Sequence, residues 1–121
     1  MTWRIKRALR QCTPFLIKRS LRHLWQRIRW GFDDSDLWSL DTTIAKFVLP
    51  RLKRFRDVSG GYPGCDGMAT EEDWNVAMDE MIFAMQVVID DGNCDLRTHE
   101  DWARCKRGLK LFGKWFRQLW W

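Results

Sequence analysis

Apolar residues recur at three- and four-residue spacing along most of the chain, which is the period of an amphipathic α-helix. One pattern covers 74–89, with the apolar set Trp74, Ala77, Met78, Met81, Ile82, Met85, Val88 and Ile89. A second covers 102–119, with the set Trp102, Cys105, Leu109, Phe112, Phe116 and Leu119. No segment shows the strict alternation typical of a strand. We therefore predict an all-α fold, a single-domain bundle of about four main helices.

Capping residues mark the start of the last two helices. Thr70 is followed three residues later by Asp73, and Thr98 is followed in the same way by Asp101. A Thr hydroxyl in this position accepts a bond from the backbone N–H three residues on, which satisfies one of the open donors of the first turn. We expect one helix to begin after Thr70 and another after Thr98.

The first 30 residues predict two helices separated by a proline. Thr13 followed by Pro14 is typical of a helix start, so we expect a short helix over 3–11 and a second one from Pro14 onward. The second helix carries an apolar stripe formed by Ile17, Leu21, Leu24, Trp25 and Ile28. Lys and Arg fill most of the remaining positions, which makes this helix amphipathic and basic.

The next helical pattern continues across a proline. Its apolar residues are Leu37, Leu40, Ile44, Phe47, Val48, Leu52 and Phe55. Because the helical phase is kept on both sides of Pro50, we predict one helix that begins among Asp33–Asp36 and bends at Pro50. Asp41 would then lie in the middle of this helix, and Trp38 would be packed in the core.

Residues 57–70 contain four Gly and one Pro, which predicts one long Gly-rich loop between the second and third main helices. Tyr62, the only Tyr of the chain, lies in this loop. We interpret Tyr62 as an anchor that packs on the bundle rather than as a stacking platform.

Composition and charge narrow the class of protein. The chain has 45% apolar and 31% charged residues, and no apolar run approaches the ~18 residues of a spanning helix, which excludes a disordered and a membrane-spanning class. Residues 1–30 hold nine Lys or Arg and no Asp or Glu, whereas 31–121 hold 12 basic and 16 acidic residues. We therefore divide the chain into a basic amphipathic N-terminal helical arm, 1–30, and a helical bundle core, 31–121. Such an arm attracts phosphates, anionic lipid or an acidic protein face.

No pattern in the sequence predicts an enzyme. The segment Gly108–Lys114 resembles the start of a phosphate-binding P-loop, but Trp115 stands where Ser or Thr is required, and the segment falls inside a predicted helix. We interpret its two glycines as sites of close helix packing. The His and Cys residues lack zinc-finger spacing, and Asp41 and Asp79 are assigned to solvated or ion-paired structural roles. We predict no catalytic residue, no metal and no cofactor.

Several blocks of the sequence resemble a family of small uncharacterised phage and prophage proteins. The blocks are GFDDSDLWSLD (31–41), TIAKFVLPRLK (43–53), GYPG (61–64), EEDWN (71–75), MDEMIF (78–83) and GLKLFGKWF (108–116). The resemblance covers roughly residues 30 to 121 and leaves out the basic arm. It implies a viral origin and a setting in the cytoplasm of an infected bacterium. It implies no activity, and small phage proteins of this kind often act by binding host components, including defence signals.

The remaining functional pattern is the interleaving of cations with aromatic residues. Trp rings stack on bases while Lys and Arg bind phosphates, which is the chemistry of nucleotide and single-strand binding. The predicted phosphate-binding residues are Arg22, Arg27, Arg29, Lys53, Arg54, Lys110, Lys114 and Arg117, and the predicted stacking residues are Trp30 and Trp120.

The leading hypothesis is a non-enzymatic phage counter-defence protein that sequesters a nucleotide signal or nucleic acid, with a homo-oligomer as one form it could take. Two alternatives stay open. One is an inhibitor that binds a host protein through an exposed apolar patch. The other is association of residues 1–30 with a membrane surface.

Overall fold

The computed structural model describes residues 3–90 and 98–120, and it confirms an all-α helical bundle. Its helices are α1 (Trp3–Trp30), α2 (Ser35–Trp38), α3 (Leu40–Val58), α4 (Glu71–Ile89) and α5 (His99–Trp115), and a 3₁₀ turn at Phe116–Gln118 follows α5. Contacts divide the chain into two compact units, which we call the N-terminal unit, Met1–Leu40, and the C-terminal unit, Asp41–Trp121. The N-terminal unit therefore extends beyond the predicted arm and includes α2.

In the N-terminal unit, α1 is one helix of 28 residues that contains Pro14. The prediction of two helices separated by Pro14, with Thr13 capping the second, is therefore wrong. A proline inside a helix removes one backbone hydrogen bond, but it leaves the helical phase of its neighbours unchanged. Because Leu, Ile, Lys and Arg, all tolerated well in helices, lie on both sides of Pro14, the helix continues through it.

A polar corner joins α1 to α2. Gly31, with φ of +80°, ends α1 by donating its N–H to the carbonyl of Arg27 at 2.9 Å. The buried Asp33 carboxylate then accepts bonds from the backbone N–H of Ser35 at 2.8 Å and from the Ser35 hydroxyl, and it lies 2.5 Å from Nε of Arg27. The buried Gln26 Oε1 accepts the N–H of Asp34 at 3.0 Å. These bonds fix the start of α2 against the last turns of α1.

The predicted helix from Asp33–Asp36 to Phe55 is interrupted at Ser39. This residue has φ −130° and ψ 68°, outside the helical region, so α2 ends at Trp38 and α3 begins at Leu40. Asp41 consequently lies in the first turn of α3, where a carboxylate is stabilised by the helix dipole, and not in the middle of a helix. Trp38 is 76% exposed and is not part of the core, which also corrects the prediction.

The core of the C-terminal unit is formed by α3, α4 and α5. Its largest cluster of buried residues is Leu52, Trp74, Ala77, Met78, Met81 and Trp115. The rings of Trp74 and Trp115 meet edge to face, with centroids 5.8 Å apart. Helix α3 continues through Pro50, as its apolar phase predicts, and adds Ala45 and Leu49 to a second cluster around Met85.

Helices α4 and α5 pack closely because Gly108 has no side chain. A Cβ on Gly108 would lie 2.3 Å from the carbonyl oxygen of Glu80 and 2.7 Å from Cβ of Ala84. Beside this contact, Arg104 donates from Nε and Nη2 to the carboxylate of Glu80 at 2.8 to 3.0 Å. The segment that resembles a P-loop therefore lies inside α5, and its first glycine is a packing contact, as predicted. A Cβ on Gly113 would meet nothing within 4 Å, so the prediction of close helix packing at this second glycine is wrong.

The loop and cap predictions agree with the structure. No helix covers residues 59–70, so the loop begins two residues later than predicted, because α3 extends to Val58. The Thr70 hydroxyl accepts the N–H of Asp73 at 3.2 Å at the start of α4. Thr98 and Asp101 form the full reciprocal capping box at the start of α5. Among the described helices, none is both long enough and apolar enough to cross a membrane.

Candidate anion-binding surface

The exposed side of α5 and the following 3₁₀ turn carries a continuous cluster of cations. Lys106, Lys110 and Lys114 are each one helical turn apart, Arg107 lies beside them, and Arg117 follows in the 3₁₀ turn. All five are exposed and lie on the side of α5 opposite its buried residues. We call these five residues the α5 cationic face. None of them forms an ion pair with a residue that the structure describes, so their charge is available to a ligand.

A shallow depression of about 240 Å³ lies in the same unit. Its lining residues are Ser59, Gly61, Tyr62, Pro63, Trp74, Gln118 and Trp120. Trp120 is 72% exposed and Tyr62 is 49% exposed, so two aromatic rings of the lining are accessible to a ligand. Gln118 adds a side-chain amide, which can both donate and accept hydrogen bonds. Aromatic rings beside an amide are the groups that bind a single unpaired base.

The local chain explains why this depression forms. Helix α5 changes to a 3₁₀ turn at Phe116, which brings Gln118 and Trp120 out of the helical phase. The Gly-rich loop places Tyr62 and Pro63 opposite them, over the buried Trp74 at the start of α4. Arg117 is the member of the α5 cationic face nearest in sequence, since it directly precedes Gln118. Arg117 is therefore the cation that adjoins the depression along the chain.

The two predicted phosphate-binding residues of α3 have different surroundings. Arg54 lines a separate apolar groove of about 780 Å³, together with residues of α3, α5 and the 3₁₀ turn. Lys53 is exposed and lines neither the groove nor the depression. The structure thus places Trp120 in the lining of the depression and Arg117 next to the lining residue Gln118 along the chain, whereas Lys110 and Lys114 lie on the α5 cationic face. It does not bring Lys53 and Arg54 into the lining of the depression.

The predicted residues of the N-terminal unit are partly committed to ion pairs. Arg22 pairs with Asp34 at 2.6 Å, and Arg27 pairs with the buried Asp33 at 2.5 Å. Arg29 is exposed and forms no ion pair with a described residue.

The rings of the N-terminal unit are in mutual contact. Trp30 contacts the rings of Trp25 and Phe32, with centroids 5.6 and 6.0 Å away, and each of the three rings is about half exposed. Arg19 lies 5.2 Å from the ring of Trp38. These rings form an exposed aromatic cluster, in which Trp30 is accessible on one side.

Two residues of the α5 cationic face, and every lining residue of the depression except Trp120, are absent from the sequence-based set of site residues. Residues 102–121 hold six Lys or Arg and no Asp or Glu, and this second acid-free segment is the signal that points to Lys106 and Arg107. Gln118 carries no charge and belongs to no motif. Gln118 lines the depression together with Tyr62 and Trp120 because α5 ends at Trp115 and a 3₁₀ turn follows, which only the structure shows.

The carboxylates near these surfaces have structural partners. Arg56 donates from Nη2 to Asp79 at 3.0 Å, so Asp79 is ion-paired, as predicted. Hydrogen bonds to the Asp79 and Glu80 carboxylates raise the pKa of Arg56 and Arg104 above their ordinary values. Within 3–90 and 98–120, no three His, Cys, Asp or Glu residues are grouped as metal ligands. Cys65 is exposed, and Cys105 is buried with its Sγ 3.7 Å from the carbonyl oxygen of Ala84.

A scan against models of protein families, a search of curated proteins and a search of solved structures each found no match. The resemblance to phage proteins therefore stays a prediction from the sequence blocks.

Proposed function

We propose that the C-terminal unit binds a phosphate-bearing ligand with an unpaired base, either a nucleotide or a short single-stranded nucleic acid, and sequesters it without covalent chemistry. The observation that carries the proposal is the position of an accessible aromatic depression directly after the α5 cationic face. In the infected bacterium that the phage resemblance implies, such binding would act as counter-defence.

The spacing of the cations suits a phosphate chain. Four residues of α-helix rise about 6 Å, so Lys106, Lys110 and Lys114 present three charges along roughly 12 Å of one side. Charges in such a row contact successive phosphates of a flexible strand, and each contact releases counterions from the ligand. The ligand has to be single-stranded at the depression, because the bases of a duplex are stacked on each other and cannot stack on Trp120 or Tyr62.

Fluorescence anisotropy of a 5′-labelled ten-nucleotide oligo-dT tests this proposal over a series of NaCl concentrations. Trp120→Ala should weaken binding by about tenfold, because stacking on an aromatic ring contributes about 1 to 3 kcal/mol per base. The double variant Lys110→Gln with Lys114→Gln should lower the slope of log K against log salt by about 1.4, since each lost single-strand phosphate contact contributes about 0.7. Trp120→Ala should leave that slope unchanged.

Lys46→Gln is the matched control, because Lys46 is an exposed lysine of α3 that lines neither surface feature. If Lys46→Gln reduced binding as much as the loss of one lysine from α5, the electrostatic attraction would not be specific to the α5 cationic face. If the wild-type protein bound no oligonucleotide at low salt, mass spectrometry of freshly purified, denatured protein would test for a small nucleotide instead. Failure of both measurements contradicts the proposal.

A second candidate function, association with an anionic membrane surface, is favoured by the apolar stripe of α1. Ile17, Leu21, Leu24, Trp25 and Ile28 share one side of the helix, and all are more than half exposed. Exposed Lys18, Arg22 and Arg29 lie beside this stripe. A helix with an accessible apolar side flanked by cations lies flat in the headgroup region of anionic lipid.

Flotation with vesicles of neutral lipid, and of neutral lipid mixed with phosphatidylglycerol, tests the membrane function. The protein should float with the anionic vesicles only, and Leu24→Glu should abolish flotation. Leu109→Glu is the control, since Leu109 is an exposed leucine of α5. Protein that stays unbound to vesicles but retains one host protein through nuclease treatment would favour the host-protein inhibitor instead.

A further inference from the structure

The apolar groove of the C-terminal unit is a large surface feature that the proposed function leaves unused. Its volume is about 780 Å³, within the range of about 300 to 1,000 Å³ that is usual for small-molecule sites. Its lining residues are Phe47, Val48, Pro50, Arg51, Leu52, Arg54, Phe55, Val58, Phe112, Phe116 and Leu119. Phe47 is 60% exposed and Phe116 is 61% exposed, so two large rings of the lining contact solvent instead of the core.

The charge of the groove has one sign. Among the lining residues that the structure describes, Arg51 and Arg54 are the only charged side chains, and none is Asp or Glu. They lie three residues apart on α3, which places them on the same side of the helix. The Arg51 guanidinium lies 3.7 Å from the centroid of the Phe47 ring and donates to the Phe47 carbonyl at 2.8 Å. Arg54 makes no ion pair or hydrogen bond with a residue that the structure describes.

We propose that this groove binds a single-chain anionic amphiphile, a long-chain carboxylate, with its alkyl chain against the four Phe rings and its carboxylate on Arg54 and Arg51. The apolar lining accounts for the chain, because burial of apolar surface is favourable in proportion to its area. The arginine pair accounts for the head, because a guanidinium binds a carboxylate through two parallel hydrogen bonds. A neutral oil would leave the Arg54 charge without a partner. A nucleotide would leave most of the apolar lining exposed.

This inference is independent of the proposed function. Within 3–90 and 98–120, the groove and the depression share no lining residue, and the α5 cationic face contributes no residue to the groove. Loss of oligonucleotide binding by the Trp120→Ala variant would therefore say nothing about the groove.

The test uses the full chain and 11-(dansylamino)undecanoic acid, a fatty acid probe whose emission rises and shifts to the blue in an apolar site. Probe concentrations stay below its critical micelle concentration, so that single molecules are measured. Wild-type protein should saturate with the probe, and Arg54→Gln should weaken binding by about tenfold, because it removes a hydrogen bond between two charged groups. The methyl ester of the probe should bind the wild-type protein about tenfold more weakly than the acid does, because the ester carries no charge.

Lys53→Gln is the matched control, since it removes the same charge from the neighbouring exposed position, which does not line the groove. Phe116→Ala should also weaken binding, and the high exposure of this ring makes the variant tolerable for folding, which circular dichroism checks. Equal binding by Arg54→Gln and Lys53→Gln, or equal binding of acid and ester, overturns the proposal. So does absence of probe binding, and a dimer in sedimentation would then assign the groove to a second copy of the chain.

Discussion

Helices α1 and α4 carry apolar stripes of the same helical spacing, but the structure buries only one of them. In α4, Met78 and Met81 have no exposed surface, and Trp74 is 2% exposed. In α1, Leu21 is 60% exposed and Ile28 is 78% exposed. Apolar spacing therefore identifies which residues share one side of a helix, whereas the burial of that side depends on whether other residues pack against it.

Composition separates the two helices more clearly than spacing does. Helix α4 carries no Lys or Arg between Glu71 and Ile89, and its acidic residues all lie in its first ten positions, so the rest of its length can be surrounded by α3 and α5 without desolvating a charge. From Trp3 to Trp30, α1 carries nine Lys or Arg, which surround the stripe with groups that stay in water. A stripe bordered by cations is consequently suited to lipid or to a partner as well as to a core.

The largest expected effect on stability comes from truncating one residue of each apolar stripe. Met81→Ala should lower the free energy of unfolding by about 2 to 5 kcal/mol, because it leaves a cavity in a packed core. Leu21→Ala should change it by about 0.5 kcal/mol or less, as expected for an exposed position. Urea unfolding followed by circular dichroism and Trp fluorescence measures both. A loss for Leu21→Ala as large as for Met81→Ala would show that the α1 stripe is covered in solution.

The second prediction concerns the two glycines of α5, which the sequence presents as equivalent. Gly108→Ala should lower the free energy of unfolding by about 1 to 3 kcal/mol, since its Cβ would overlap the backbone of α4 at Glu80. Gly113→Ala should raise it by up to about 1 kcal/mol, because Ala is the better helix former and the site is open. Thermal unfolding measures both variants. A loss of stability in Gly113→Ala would mean that this side of α5 contacts another surface in solution.

The fold could be predicted from the sequence wherever helical spacing and a capping residue agree. At α4 and α5 the Thr caps fix the start, and the apolar residues fix the side that is buried. The boundaries around Pro14 and Ser39 could not be predicted in the same way. Whether a helix continues through a proline, or stops at a serine such as Ser39, depends on the hydrogen bonds and packing of the flanking turns, which residue types alone do not show.

The candidate site could be predicted only in part, for a related reason. Lys110, Lys114 and Arg117 follow from their spacing on one helix, which is local information. The depression depends on a contact between residues far apart in sequence, because Tyr62 comes from the loop and Trp120 from the end of the chain. Sequence alone assigns Tyr62 to an anchor, whereas about half of its surface is exposed beside Trp120. A contact between a loop and a distant segment of the chain leaves no periodic pattern in the sequence, so it could not be predicted.

The smallest expected effect concerns the pKa of Asp33 in the polar corner of the N-terminal unit. The Ser35 hydroxyl donates to Asp33 and holds the pKa of this carboxyl below its ordinary value of 3.8, with further lowering from the Ser35 N–H and from Arg27, although burial acts in the opposite direction. Because the pKa is lower in the folded state, the stabilisation is complete above about pH 5 and is lost as the pH falls through the folded pKa.

An NMR titration of the Ser35 amide from pH 6 to pH 2 should show a midpoint below 3.8. Asp33→Asn should abolish this titration, whereas Asp41→Asn, in the first turn of α3, should leave it unchanged. A midpoint at or above 3.8 would mean that the carboxylate is not held by Ser35 and Arg27 in solution. The corner between α1 and α2 would then be stabilised by contacts other than those among its own polar groups.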